Sequence, residues 1–204
     1  MRKATYVLLA MLLAVALPSD GAAQGIGLGV KGGVNLANMT GDDAGDTDMN
    51  TGFAIGGFLN FDLGTFSIQP EALFSQKGAS MSFEGIESDW NVSYLEVPVL
   101  FRIGLGVPGA PMNPVLFAGP SVGYLLSSKG KGSVEGASVE FDMKDDTKSF
   151  DVGAVIGAGI DFGNIQLDAR YNLGFTNVGD GDDAGDVKNS TISIMLGYRL
   201  PFGL

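Results

Sequence analysis

Neither histidine nor cysteine occurs among the 204 residues, which removes the commonest general base, the commonest metal ligand and all thiol chemistry. Ser-His-Asp acyl transfer, thiol chemistry and imidazole metal sites are excluded on that ground. Two placements of the remaining charged residues carry information. The first is a hexapeptide that occurs twice, Gly41-Asp-Asp-Ala-Gly-Asp46 and Gly181-Asp-Asp-Ala-Gly-Asp186. Its carboxylates, Asp42, Asp43, Asp46, Asp182, Asp183 and Asp186, sit on Gly-rich stretches and offer the hard oxygen ligands that suit Ca²⁺. Neither copy has EF-hand spacing, and a solvated acidic turn accounts for the same residues. No other cofactor is indicated.

The second placement is a set of charges at alternate positions of otherwise apolar stretches. It comprises Lys31, Asp62, Glu71, Lys77, Glu96, Arg102, Asp151, Asp161, Asp168, Arg170 and Arg199. Five cations against six carboxylates is close to neutral. Charges taken out of water must be paired, so this balance suits a narrow, filled interior, whereas an open solvent face imposes none. The set could form a conduction path or a proton relay. A structural ion-pair network is the simpler reading, because a small barrel encloses only enough room for side chains.

The elements that must position these charges are strands. Thr191 to Phe202 alternates strictly, with Ile192, Ile194, Leu196, Tyr198, Leu200 and Phe202 on one face and Arg199 among the other set. Seven further stretches behave alike: Ile26–Leu36, Phe53–Leu63, Phe66–Lys77, Tyr94–Ile103, Val115–Leu126, Phe150–Phe162 and Ile165–Phe175. The fifth alternates least cleanly, and Gly119-Pro120 predicts a bulge or gap in its ladder. Tight turns at Gly64-Thr65, 107–114 and Gly163-Asn164 alternate with long polar segments at 38–50, 78–90, 127–149 and 177–188. Trp90 falls at the foot of one of these, as an interfacial anchor. The predicted fold is therefore all-β: an eight-stranded antiparallel up-and-down transmembrane β-barrel with short periplasmic turns and long acidic outer loops.

A soluble ligand-binding barrel would also alternate, with its apolar face inward. The aromatics decide against it. Phe53 and Phe61, Phe66 and Phe74, and Phe150 and Phe162 mark both ends of the apolar faces, as girdles at two membrane interfaces would.

Residues 1–23 read as a removed signal peptide: Arg2 and Lys3, the apolar run Tyr6 to Leu17, then Gly21-Ala22-Ala23 before Gln24. The apolar run is too short for a membrane-anchoring helix, and Pro18 and Gly21 follow it. The barrel then occupies residues 24–204. The whole chain carries −11, and the leader is +1 (Arg2 and Lys3 against Asp20), so the mature chain carries −12, which argues against a nucleic-acid partner. The segment Gly27-x-Gly29-x-x-Gly32 matches a dinucleotide fingerprint in form only, because no strand precedes it and no helix follows.

Four segments carry a family resemblance. Gly29-Val-Lys-Gly-Gly-Val-Asn35, Gln69-Pro-Glu-Ala-Leu-Phe-Ser-Gln-Lys-Gly78, Tyr94-Leu-Glu-Val-Pro-Val-Leu-Phe-Arg102 and Phe117-Ala-Gly-Pro-Ser-Val-Gly-Tyr124 resemble the outer-membrane β-barrel domain of the PorT-like porin family. The resemblance implies an eight-stranded barrel in the bacterial outer membrane. The terminal Gly197-x-x-Leu200-x-Phe202 resembles the signal read by the barrel-assembly machinery, with Leu200 where an aromatic is common and two residues beyond Phe202. The expected role is non-enzymatic, structural or interactive. Outer-membrane lipid and the assembly machinery are the expected partners, and the expected state is a monomer. A small passive channel and a soluble periplasmic ligand-binding barrel are the alternatives.

Overall fold

Each alternating stretch becomes a strand because the outward residues of one ribbon lie beside those of the next. In the computed structural model, residues 25–41, 48–83, 86–107, 110–134, 137–142, 147–177 and 187–203 are described, so the leader expected at 1–23 lies outside them. Among the described residues there are nine strands: β1 (Ile26–Thr40), β2 (Asp48–Asp62), β3 (Phe66–Phe83), β4 (Ile86–Gly104), β5 (Met112–Val134), β6 (Ala137–Asp142), β7 (Phe150–Phe162), β8 (Ile165–Asn177) and β9 (Lys188–Gly203). Eight of them form a closed antiparallel wall in the order β4-β3-β2-β1-β9-β8-β7-β5, with β5 returning to β4. Closure of β1 on β9 runs from Gly27 opposite Gly203 to Thr40 opposite Lys188. No edge is left in the wall, which satisfies its backbone donors and acceptors.

The strands outrun their predicted ends. The segment 78–90 is a hairpin in which Phe83 pairs with Ile86, and Trp90 lies inside β4, opposite Ala79 and Gly130. Most of 127–149 is also strand: β5 continues to Val134 and folds back as β6. The expectation of long loops there is corrected. Apolar alternation reports burial, and these polar, Gly-rich ends carry none, although their backbone groups still pair. A tilted strand crosses a bilayer in about 9–11 residues. With 23 residues, β5 projects well past one rim.

Gly64 and Gly163 take φ values of 93° and 56°, the left-handed geometry that the tight turns of the opposite rim require. The predicted flaw at Gly119-Pro120 is present on one side only. The β4–β5 ladder skips from Pro98–Ser121 to Phe101–Ala118, while β5 stays paired to β7 throughout. A bulge lies where Ser93 faces Ser127 but Tyr94 faces Leu125. Leu126 is the extra residue, and it switches the inward set of β5 from odd to even numbers.

The apolar face looks outward. Leu167, Tyr171, Ile194 and Tyr198 are exposed, whereas Asp168 and Arg170 are 0% and 4% exposed. That orientation overturns a soluble barrel with an apolar lumen. The outer band ends in aromatic pairs at the projecting rim, with Phe53 and Phe74 ring centroids 5.7 Å apart and Tyr124 and Phe150 at 5.3 Å.

Candidate functional site

The middle of the lumen is closed by three cations and three carboxylates drawn from five strands. Lys31 Nζ donates to Glu71 Oε1 at 2.9 Å and to Asp168 Oδ2 at 2.7 Å. Arg170 grips the same two acids, through Nη1 to Glu71 Oε2 at 2.8 Å and Nη2 to Asp168 Oδ2 at 3.0 Å. Arg102 extends the chain, with Nη2 2.7 Å from Asp161 Oδ1 and Nη1 3.4 Å from Asp168 Oδ1. Gln69 donates to Glu71 at 2.8 Å, and Gln166 donates to Gln69 at 3.3 Å. The cluster is neutral, and each charged group faces at least one opposite charge.

Two phenylalanines line it. The Lys31 ammonium lies 5.1 Å from the Phe58 ring centroid, and the guanidiniums of Arg102 and Arg170 lie 5.4 and 5.5 Å from that of Phe117. These are cation–π distances in a site from which water is largely excluded. Glycine makes room for the bulk. A Cβ on Gly157 would meet the Phe117 ring at 2.5 Å, and one on Gly197 would meet Lys31 Cε at 3.1 Å.

A second tier lies towards the projecting rim. Lys77 pairs with Glu96 and stands over the Tyr94 ring at 5.7 Å. Asn189 donates to Asp151 Oδ2 at 2.8 Å and to the Tyr94 hydroxyl at 3.4 Å. Between the tiers runs an uncharged ladder in which Asn172 donates to Ser193, Ser193 to Asn35, and Asn35 to Ser75. Asp62 and Arg199 belong to neither tier. Asp62 Oδ1 accepts the Gly64 N–H at 3.0 Å, and both residues line the mouth at the tight-turn rim.

All eleven charged residues singled out in the sequence therefore face the lumen, in two groups and a mouth. Phe58, Phe117, Asn35 and Asn189 complete the site without having been singled out. For Phe58 a signal was available, since it shares the parity of Asn60 and Asp62 on β2. Phe117 shares a parity with Gly119, but the later bulge obscures which set is inward.

Asp42, Asp43, Asp46, Asp182, Asp183 and Asp186 lie outside the described residues. The pairing of Thr40 with Lys188 sets the bases of their two segments side by side. Among the described residues no group of three or more acids could hold a metal ion. Of the terminal residues expected to carry an assembly signal, Gly197 is buried beneath Lys31, Leu200 is half-buried, and Phe202 lies in β9.

Residues 21–180 match the family described as outer membrane protein beta-barrel domain. No functionally curated protein matches the sequence. Among solved structures, neisserial surface protein A (NspA) is 12% identical with a TM-score of 0.51, over 87% of this chain and 100% of NspA. Ail, the attachment invasion locus protein of Yersinia pestis solved in complex with the heparin analogue sucrose octasulfate, is 18% identical with a TM-score of 0.45, over 85% and 99%. The N-terminal β-barrel domain of Pseudomonas aeruginosa OprF is 12% identical with a TM-score of 0.40, over 87% and 100%. At such identity the likeness to NspA shows a shared fold.

Proposed function

We infer the role from membership: this chain belongs to the outer membrane protein beta-barrel domain family and resides in the bacterial outer membrane. Its barrel acts as a sealed, non-enzymatic anchor. Lipid surrounds the apolar band, and the extended hairpins β3–β4 and β5–β6 stand outside the cell to contact ions, envelope components or a partner protein. One observation carries this reading, the neutral cluster of Lys31, Glu71, Arg102, Asp161, Asp168 and Arg170 spanning the lumen. A plug of mutually paired charges supports anchoring over conduction. The absence of histidine and cysteine supports a non-enzymatic role.

Within the family, Tyr94-Leu-Glu-Val-Pro98 supports placement with the PorT-like members. The leader 1–23 is removed, the assembly machinery reads Gly197, Leu200 and Phe202, and the mature barrel works as a monomer. Planar-bilayer recording tests the sealed lumen, and silent membranes are expected. A steady ohmic conductance would replace the anchor with the small passive channel. An epitope placed in the β5–β6 turn tests orientation, and it should bind antibody on intact cells.

A further inference from the structure

Towards the tight-turn rim the lumen opens into a cavity of about 550 Å³, within the range of small-molecule sites. Asn60, Asp62, Arg102, Asn113, Asp161 and Arg199 supply its polar wall. Lys31, Lys77, Arg102 and Arg170 each sit in an ion pair. Arg199 makes none among the described residues, and its Nε is buried without a partner. Across β1 from it, Asn60 is 2% exposed and its Oδ1 is likewise unpartnered. Gly27 lies between them, paired to Asn60 on one side, and the Arg199 stem crosses the space its side chain would fill, with Cδ 3.0 Å from that Cβ position.

The wall thus holds a guanidinium whose Nε is spare and a spare amide oxygen, beside two carboxylates that are already engaged. Asp161 is bound by Arg102, and Asp62 accepts the Gly64 N–H. A multiply charged anion would meet those acids and be repelled. A ligand with one carboxylate and a neighbouring N–H donor would satisfy both spare groups. We propose that this vestibule binds the C-terminal end of a short peptide, with Arg199 taking the α-carboxylate and Asn60 Oδ1 accepting the adjoining amide N–H. Arginine presents the planar fork that matches a carboxylate, which an ammonium does not. Free oligopeptides and the D-alanine-terminated stem peptides of a cell wall share this chemistry. The inference is independent of whether the lumen conducts.

The test is NMR titration of the full mature chain in detergent micelles. The probes are trialanine, trialanine amide, acetate and a stem peptide ending in D-alanyl-D-alanine. Saturable shifts of the Asn60, Asn113 and Arg199 amides with a peptide acid, weakened at least tenfold by C-terminal amidation, are expected. Whichever acid binds tighter identifies the source. Arg199→Gln should abolish the shifts and Arg199→Lys should restore them in part, with folding checked by heat-dependent gel mobility. If Arg199→Gln does not fold, Asn60→Ala serves instead and should weaken binding several-fold. No saturable binding by either peptide, equal binding of acid and amide, or wild-type binding by Arg199→Gln would overturn the proposal.

Discussion

Lys31 Nζ on β1 lies 2.7 Å from Asp168 Oδ2 on β8, although β9 separates these strands in the wall. The bond crosses the lumen, so it ties the two ends of the chain independently of the ladder that closes the barrel. Glu71 joins the same ammonium from β3 at 2.9 Å, on the far side of β1 and β2.

Cutting that tie should be costly. Lys31→Met leaves Glu71 and Asp168 buried with one cation fewer, and loss of one partner from a buried pair costs about 3–5 kcal/mol. Urea unfolding in micelles should show a drop of that order. The double variant Lys31→Met/Asp168→Asn should lose less than the two single variants summed, because the groups share one network. Strict additivity would mean that the lumen is wet.

Gly157 lies beneath Phe117, and its missing Cβ would also meet the Ala169 carbonyl at 2.5 Å. Gly157→Ala should therefore destabilise the barrel by about 1–3 kcal/mol through overpacking. Adding Phe117→Leu should recover only part, since the backbone contact remains. Unchanged unfolding midpoints would show that the wall yields at this point.

Depth in the membrane should grade the cost of charge on the outer face. Ile194 pairs with Ala169, which pairs in turn with Ala158, between the end residues Phe150 and Phe162 of β7, whereas Thr51 lies beyond Phe53 towards the projecting rim. Ile194→Arg should cost about 2–4 kcal/mol and Thr51→Arg about 0–1 kcal/mol. Equal costs would argue that Ile194 does not face the bilayer centre.

Within the β5–β6 hairpin only β6 stands outside the closed wall. Residues 130–134 of β5 also pair with 86–90 of β4, but beyond the apolar band, so removing the hairpin should leave the barrel intact. Lys129 and Asp142 are paired partners. Replacing residues 130–141 with Asn-Gly should preserve heat-dependent gel mobility and lumen stability while removing any surface contact made by the hairpin. Loss of the folded band would assign the hairpin a part in folding.

Local pattern determined a great deal by itself. Period-two alternation in Ile165–Phe175 or Thr191–Tyr198 leaves one choice of face, because a one-residue slip would carry Asp168 and Arg170 into lipid. The near-neutral inward set and the aromatic ends followed from the same parity. Tertiary structure alone decided which charge meets which. Lys31 and Asp168 are 137 positions apart, and only the stagger of strands around the closed wall brings them level. It also decided how far the strands run beyond the apolar band, since backbone pairing between β5 and β6 needs no apolar residue to mark it. The Nε of Arg199, unpartnered among the described residues, belongs to that second class as well, because a donor's lack of a partner is a property of the space around it.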